Sequence, residues 1–397
     1  MNIITTNEAL QDFCSRLRGK PYVTVDTEFM RERTFWPKLC LLQMAGSDAN
    51  DPAQVAAIDP LAPGLDLAPV LEVMRDQSIV KVFHAARQDV EIFFNLMQEV
   101  PQPLFDTQVA AMVCGFGDSV SYETLCAKLT DARIDKSSRF TDWAARPLTE
   151  KQVVYALGDV THLRVVYEKM MARITANGRG EWLDDEMAAL LNPKNYAVAP
   201  EDAWQRLKLR HEKPQVLVQA LAAWRERVAQ SADVPRSRVL RDEALMEIVH
   251  HPPADSVALA RIRGLNHGFA EGKHGQEILA VVAAARHVKP GAQFQQDRKH
   301  LPNNIGAVVE LLKVLLKQVA EEHEVASRML ASGDDLDLIA AEDKPDVPAM
   351  QGWRYEIFGK QALALKRGEV SLRISGRRVE CVPTARQMEQ DNGGHSR

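Results

Sequence analysis

The chain has 397 residues, of which 46% are hydrophobic and 26% are charged, and this composition is typical of a folded globular protein with two or three domains. Its 49 basic and 54 acidic residues give a net charge of −5, which excludes a uniformly basic coat protein but not an enzyme that binds nucleic acid through a local basic patch. The charge is uneven: residues 1–200 carry 20 basic and 27 acidic side chains, whereas residues 201–300 carry 16 and 12. An acidic first half followed by a basic segment suits a metal-using domain beside one that binds a polyanion.

The cysteines and the N-terminal segment point to an intracellular protein. The five cysteines are widely spaced and include no C-x-x-C pair, so neither a disulfide framework nor a zinc finger is expected. The first ten residues lack the basic and apolar regions of a signal peptide, and no apolar run reaches the roughly 18–20 residues of a membrane span. We therefore expect a cytoplasmic protein with no membrane partner.

The spacing of polar and apolar residues predicts the secondary structure of the first 200 residues. The expected strands are 21–30, 39–45, 55–59 and 79–83, and the expected helices are 65–75 and 86–97. Three successive strands followed by alternating strand and helix favour an α/β domain with a mixed sheet. The stretch 121–190 is predicted to be mainly helical. Its best-marked helix begins at Thr149, with Gln152 as a capping-box partner, and ends at Gly178.

A domain boundary is predicted at 192–205, where two prolines interrupt a segment that has no periodicity. The pattern beyond it is helical, apart from a short strand-like run at 370–374. Apolar residues recur at an offset of 91, which predicts two copies of one small helical domain. The matching pairs include Val218 with Val309, Leu221 with Leu312, and Leu245 with Leu336. The predicted domains are 1–200, 206–290 and 300–378, followed by a disordered tail at 384–397.

Asp26 and Glu28 are the clearest candidates for chemistry. On a strand, residues two apart point to the same face, so the two carboxylates lie side by side. Carboxylates at that distance repel each other, and a hard divalent cation with oxygen ligands offsets the repulsion. The same pattern also occurs on the solvated face of an ordinary strand.

Two further segments carry candidate side chains. His84 ends a predicted strand, and Asp89 falls in the first turns of the next helix, where an acid is also a common partner of the helix dipole. Tyr155 and Asp159 lie four residues apart and therefore on one face of the helix. A buried tyrosine bonded to a nearby acid is equally common as a structural pair. Gly158 is unusual there, since glycine inside a helix costs about 1 kcal/mol relative to alanine.

Taken together, the order Asp-x-Glu, Asp, Tyr-x-x-x-Asp resembles the DEDD exonucleases, in the subgroup whose third motif carries tyrosine. The segments VDTEFMRERTFWPKLCLLQ, FHAARQDVEIF and DKSSRFTDWAARPLTEKQVVYALGDV are similar to those of the ribonuclease D family. ALAAWRERVAQSADVPRSRVLRDEALMEIV and DVPAMQGWRYEIFGKQAL resemble the helicase-and-RNase-D C-terminal (HRDC) domains. The likeness covers residues 1–375 and implies an α/β catalytic domain with a ribonuclease H-like mixed sheet, followed by two small all-α helical domains.

The resemblance also implies an activity and a mechanism. The expected enzyme is a 3′→5′ exoribonuclease that trims tRNA precursors and other small structured RNAs and releases 5′-mononucleotides. Separately from the resemblance, we expect a monomer. Two divalent metals, Mg²⁺ or Mn²⁺, would activate water and stabilise the leaving oxygen. By resemblance, Asp26 would bridge the metals, Glu28 and Asp159 would complete one site, and Asp89 would hold the second metal largely through water. Tyr155 would orient the attacking water.

Candidate RNA contacts follow from basic and aromatic residues near the third motif and after the boundary. Clustered basic side chains favour sequence-independent contact with phosphates, although each run is also typical of a solvated face. A tryptophan near the third motif would offer the 3′ end a stacking surface. The candidates are His84, Lys136, Arg139, Trp143, Arg206, Lys208, Arg210, Arg236 and Arg238.

Two other functions fit parts of the pattern. A DNA exonuclease would use the same carboxylates, so the residues alone do not separate RNA from DNA. A catalytically silent RNA-binding scaffold would keep only vestiges of the motifs. The presence of every expected ligand argues against the scaffold.

Overall fold

The structure is a computed structural model that describes residues 3–130, 132, 134, 141–197, 199–207, 216–286, 301–302 and 304–384. The predicted RNA contacts Lys136, Arg139, Lys208 and Arg210 lie outside the described residues, as does the predicted tail beyond Thr384. Within the described ranges, no helix combines the length and the apolar character needed to cross a membrane.

A mixed sheet forms the centre of the N-terminal domain. In the described part of the chain it has six strands: β1 (Ile3–Ile4), β2 (Tyr22–Met30), β3 (Lys38–Gly46), β4 (Val55–Ile58), β5 (Val80–Phe83) and β6 (Leu104–Asp106). Their order is β1-β4-β3-β2-β5-β6; β3 is antiparallel to both neighbours, and the other pairs are parallel. The predicted mixed sheet is therefore confirmed, and its two short edge strands are additions to the prediction.

Helices cover this sheet and build its hydrophobic core. They are α1 (Asn7–Leu17), α2 (Ala68–Arg75), α3 (Arg87–Met97), α4 (Thr107–Val113), α5 (Tyr122–Leu129), α6 (Glu150–Asn177) and α7 (Gly180–Leu190). Helix α6 has the capping box that the sequence predicts, because Thr149 and Gln152 each bond the other's backbone N–H. It ends at Gly178, whose φ of +65° is the left-handed conformation that glycine adopts most easily. The long α6 packs directly on β2 and β3.

Two helical domains follow the 3₁₀ turns Pro193–Asn195 and Pro200–Arg206. The first contains α8 (Val216–Ala232), α9 (Arg236–Val239), α10 (Asp242–His250), α11 (Ser256–Leu259), α12 (His267–Glu271) and α13 (Lys273–Ala285). The second contains α14 (Gly306–Glu322), α15 (Ser327–Leu330), α16 (Gly333–Ala341), α17 (Gly352–Arg354), a π-helical turn (Tyr355–Gly359) and α18 (Lys360–Lys366). The bounds of α9 and α15, and of α10 and α16, differ by the same 91 residues as the sequence repeat.

The second helical domain continues into a β-hairpin, β7 (Val370–Ser375) and β8 (Arg378–Pro383). Leu372 and Cys381 of this hairpin pack against the core of the domain. The domain was expected to be entirely helical and to end at residue 378, and the hairpin extends it. The short run at 370–374 was the one visible sign of it, since alternation over so few residues also fits a helix end.

Both helical domains pack against the nuclease domain. Phe35, in the loop that joins β2 to β3, is only 4% exposed because it enters the core of the first helical domain. The Asp233 carboxylate accepts the backbone N–H groups of Phe35 and Trp36, both at 3.0 Å. In the second helical domain, Trp353 stacks on Trp182 of α7 at a centroid distance of 4.2 Å. The loop between β2 and β3 is thus held by a domain that lies almost 200 residues away in sequence.

Candidate active site

Strand β2 and helix α6 bring three carboxylates together. Asp26 and Glu28 lie two residues apart on one face of β2, as predicted, and Asp159 approaches from α6. One ligand oxygen from each of the three lies within 4.8 Å of the others. This separation is suitable for a single ion, and carboxylate oxygens are the donors that hard divalent cations prefer. The residues present therefore fit a divalent metal.

Asp89 approaches the same region from the first turn of α3. It is buried, and its carboxylate accepts a hydrogen bond from the hydroxyl of Thr27, the residue between the two acids of β2. The turn before α3 is fixed by Asp106, whose two carboxylate oxygens accept the N–H groups of Ala85 and Ala86 at 2.9 Å. Ala85 has a φ of +58°, which lets the chain leave β5 and enter α3 in a single tight turn.

The position of α6 depends on two hydroxyl groups that bond its backbone. Thr24 of β2 donates to the carbonyl oxygen of Val160 at 2.8 Å, and Tyr122 of α5 donates to that of Asp159. The Tyr155 hydroxyl donates to the Asp159 carboxylate, so the predicted pair on one helix face is present. Gly158 faces open space, with no atom close enough to exclude a methyl group. The structure therefore gives no steric reason for that glycine.

Burial makes the ionised carboxylates costly. It raises the pKa of Asp26 to about 6 and that of Asp159 to about 8, and it raises the pKa of Asp89 as well. The neighbouring Asp26 charge adds to the effect at Asp159 and at Asp89. Buried, like-charged acids hold protons unless a cation replaces them. The electrostatics thus agree with the ligand geometry in favouring a divalent cation.

Asp26, Glu28 and Asp159 open onto a pocket of 520 Å³. Its lining includes Asp26, Glu28, His84, Gln108, Ser119, Ser121, Tyr122, Glu123, Ile134, Tyr155 and Asp159. Most of these side chains are polar, and the apolar part comes from Phe29, Ile134 and Leu163. A cleft with both polar and apolar lining that is acidic at one end suits a nucleotide whose phosphate reaches the metal ligands.

His84 lines this pocket beside the carboxylates. Its Nδ1 lies 3.0 Å from the Thr107 hydroxyl oxygen, and its ring lies 5.3 Å from that of Tyr122. Burial lowers the pKa of the imidazole to about 4, although the Val120 carbonyl opposes the shift. The ring is therefore neutral at physiological pH, so it would contact RNA through packing or a neutral hydrogen bond and not as a cation.

Trp143 does not provide the stacking surface that the sequence predicts. Its side chain is 4% exposed and packs against Tyr155 at a centroid distance of 6.1 Å. An indole buried in this way cannot receive a base. It instead fills the space behind Tyr155, which could not be predicted from the sequence because tryptophan is common in both settings.

The described basic candidates of the first helical domain differ sharply from one another. Arg236 donates two hydrogen bonds to Glu226, which is completely buried, and stacks over Phe35 at 4.5 Å. Arg206 lies 3.7 Å from the same carboxylate. The expectation that Arg236 contacts phosphate is therefore corrected: its guanidinium holds the domain interface. Arg238, two residues away, is exposed.

Sequence reasoning missed several residues that support the site. Thr27 and Asp106 carried a usable signal, because one lies between two candidate ligands and the other stands where a helix N-cap is expected. Tyr122 carried none, since only the folded chain brings α5 against α6. Gln43 of β3 was also missed, although it is fully buried next to the site.

Comparisons with known proteins agree with this geometry. Residues 1–175 match the 3′-5′ exonuclease family, and residues 215–282 match the HRDC domain. The ribonuclease D of Gluconacetobacter diazotrophicus is 52% identical over 384 residues, and that of Granulibacter bethesdensis is 49% identical over 387; each alignment covers 96% of both chains. The crystal structure of Escherichia coli RNase D, an exoribonuclease involved in structured RNA processing, superposes with a TM-score of 0.77 at 32% identity, covering 92% of this chain and 99% of that chain.

Proposed function

Since this chain belongs to the ribonuclease D family and is a 3′-5′ exoribonuclease, we propose that it trims the 3′ ends of tRNA precursors and other small structured RNAs with the help of two divalent metals. The observation that carries the proposal is the meeting of Asp26, Glu28 and Asp159 at one end of a pocket. We further propose that it acts in the cytoplasm as a monomer.

The four acids would divide into two groups, one for each of two metal positions. Asp26, Glu28 and Asp159 would hold one ion directly, and Asp26 would share the second with Asp89. Cations held by these acids would supply the charge that activates a water for attack on the last phosphodiester and that stabilises the departing 3′ oxygen. Either Mg²⁺ or Mn²⁺ is compatible with a set of ligands made entirely of oxygen.

The protein groups around the acids position the reactants. The Tyr155 hydroxyl, held by Asp159 and backed by Trp143, would orient the attacking water. Burial raises the pKa of Tyr155 above its ordinary value, so the phenol stays protonated and acts as a hydrogen-bond donor. Attack at the terminal phosphodiester from the 3′ end releases a 5′-mononucleotide.

Contact with the body of the RNA is assigned to the first helical domain. Arg238, Arg241, Arg261 and Arg263 are exposed there, and this part of the chain carries the net positive charge. Such contacts would bind phosphates without reading the sequence. We propose that the second repeat is an HRDC-like copy that mainly packs on the nuclease domain, because residues 301–397 carry 13 basic and 15 acidic side chains.

The test is nucleotide release from a 3′-extended tRNA precursor, measured in Mg²⁺, in Mn²⁺ and in EDTA, for the wild type and for Asp26→Asn. We expect 5′-mononucleotides in either metal, none in EDTA, and nearly complete loss in Asp26→Asn while RNA binding persists. Matched RNA and DNA oligomers separate the two substrate classes: faster cleavage of DNA would identify a DNA exonuclease. RNA binding without turnover in any metal would identify a scaffold.

A further inference from the structure

Gln43 is a buried amide with no hydrogen-bond partner among the described residues. Its side chain is completely excluded from solvent in the middle of β3, yet neither the amide nitrogen nor the amide oxygen is bonded. An amide buried without partners is unfavourable, and such groups are uncommon in folded proteins. A glutamine at this position therefore calls for an explanation beyond packing, since an apolar side chain of the same size would be better there.

The strand register places Gln43 beside the metal ligands. Gln43 of β3 is the direct partner of Asp26 on β2, in the antiparallel part of the sheet. Residues opposite each other in an antiparallel pair point to the same face, with Cβ atoms about 4.5–5.5 Å apart. Asp26 and Gln43 therefore both face α6, the helix that carries Asp159, as does Thr24, which bonds the backbone of that helix.

The neighbours of Gln43 on its own face are apolar: Leu41 lies two residues before it on β3 and is fully buried, and the others are small. Ala45 lies two residues along β3, and Ala57 is the partner of Gln43 on β4; both are fully buried. Ala156 of α6, also fully buried, packs in one cluster with Ala57. An unbranched amide can change its torsion angles while the backbone stays in place, and the three alanines oppose this change with little side-chain bulk. Asp26 is the polar side chain directly opposite it.

From this placement we infer that Gln43 is a positioning residue of the metal site, whose side-chain amide donates a hydrogen bond to the Asp26 carboxylate, directly or through one water, when the cation is bound. Ligating carboxylates in metal sites are oriented by such outer hydrogen bonds. In the described structure the Asp26 carboxylate is supported by the backbone N–H of Thr27. A second donor from Gln43 would fix the carboxylate from the opposite strand. The inference rests on the proposed metal-dependent mechanism.

The test compares Gln43→Met with Met44→Leu in the full-length protein. Methionine has a similar volume and shape but no amide, and Met44, the adjacent buried residue, points to the opposite face of β3 and controls for repacking of the strand. Mn²⁺ binding without RNA is measured by titration calorimetry. We expect the dissociation constant to rise about 10–100-fold in Gln43→Met and to stay near the wild-type value in Met44→Leu. Thermal unfolding in EDTA checks that both variants are folded.

Kinetics then separate a positioning residue from a ligand. In Gln43→Met, saturating Mg²⁺ should restore most of the turnover, because the metal can still bind to an Asp26 that is less well oriented. In Asp26→Asn the same concentration should restore little. Unchanged Mn²⁺ affinity in Gln43→Met, together with a higher unfolding temperature, would mean that the amide is only a poorly packed core residue, and the inference would be overturned.

A crystal structure of the wild type with Mn²⁺ tests the contact itself and does not depend on the folding of any variant. The inference requires Nε2 of Gln43 within hydrogen-bond distance of an Asp26 oxygen, or one water that joins them. An amide that still faces the three alanines with Mn²⁺ bound would overturn it. Failure of the proposed function looks different: the wild type would then bind no divalent metal at these acids.

Discussion

The hydroxyl of Thr27 joins two catalytic segments, because it donates a hydrogen bond from β2 to the carboxylate of Asp89 on α3. Thr27 lies between Asp26 and Glu28 in sequence and is buried, but its side chain points to the other face of the strand. The acids of the first motif and the acid of the second are therefore held in one arrangement by a residue that ligates nothing itself.

Loss of this hydroxyl should weaken the metal site without removing a ligand. We expect Thr27→Val to reduce turnover and metal affinity about 10–100-fold, because Asp89 would lose the bond that orients it. Thr27→Ser keeps the hydroxyl and should stay close to the wild type. The measurements are Mn²⁺ titration calorimetry and the rate of mononucleotide release. A Thr27→Val enzyme as active as Thr27→Ser would show that the bond is dispensable.

Removal of the Tyr155 hydroxyl should affect turnover more than binding. We expect Tyr155→Phe to lower the single-turnover rate about 10–10³-fold, as is usual for a group that positions a reactant. Mn²⁺ affinity and RNA affinity should remain, since the ring still packs on Trp143. An equal loss of Mn²⁺ binding would instead make the tyrosine part of the metal site.

The acids also predict how stability changes with pH in the absence of metal. Asp159 has a folded-state pKa of about 8, above the unfolded value of about 3.9. The folded chain then holds a proton that the unfolded chain has released, so the stability that this proton contributes is lost as the pH rises from about 4 to about 8. Asp26 acts in the same direction between about 4 and 6.

Unfolding in EDTA between pH 5 and pH 8.5 should therefore show a steeper loss of stability in the wild type than in Asp159→Asn, which has no proton to lose. The stabilisation that added Mg²⁺ provides should instead increase as the pH rises. Metal must displace these protons, so its affinity should increase with pH and its binding should release protons to the buffer. Parallel pH profiles for the wild type and Asp159→Asn in EDTA would contradict the prediction.

Two arginines that look alike in sequence should behave differently when replaced. Arg236→Ala leaves the buried Glu226 carboxylate without its main partner, and we expect a loss of about 2–4 kcal/mol of stability, somewhat below the value for a fully buried pair because Arg236 is partly exposed. Arg238→Ala should leave stability unchanged but reduce the slope of log affinity against log salt for tRNA precursor by about 0.7–0.9. Chemical denaturation and binding titrations at several salt concentrations measure both effects. If Arg236→Ala keeps full stability and loses salt dependence, the assignment is reversed.

The strands and helices that were predictable carry strong local patterns. Apolar and polar side chains largely alternate along the nine residues of β2, and α6 has both a capping box and a terminal glycine. β1 and β6 have two and three residues, too few for a period to show, and their pairing depends on contacts far away in sequence. The hairpin at the end of the second helical domain was missed although its strands have six residues each and pair locally, because only the run at 370–374 has a strand-like pattern.

The candidate site divides in a similar way. The acids could be identified because Asp-x-Glu, a later Asp and Tyr-x-x-x-Asp occur together in that order along the chain. The surroundings of Trp143 and Arg236 could not, because burial is decided by which elements meet in space. A tryptophan beside a cleft and an arginine on a basic helix have the same sequence whether they face RNA or another domain. Gln43 could not be identified either, because a polar residue in an apolar strand has no evident role until its neighbours in the fold are known.

A residue with a left-handed backbone conformation precedes the second helix of each repeat. Asp233 and Glu324 both have a φ of +48° and lie 91 residues apart. Asp233 accepts the N–H groups of Phe35 and Trp36, and the backbone of Glu324 lies so close to Gly115 that an added Cβ there would come within 2.6 Å of its carbonyl oxygen. The same position of the repeat therefore lies at a contact with the nuclease domain in both helical domains, through the side chain of Asp233 in the first and through the backbone of Glu324 in the second. Deletion of either copy would release one loop of the nuclease domain and leave the other attached.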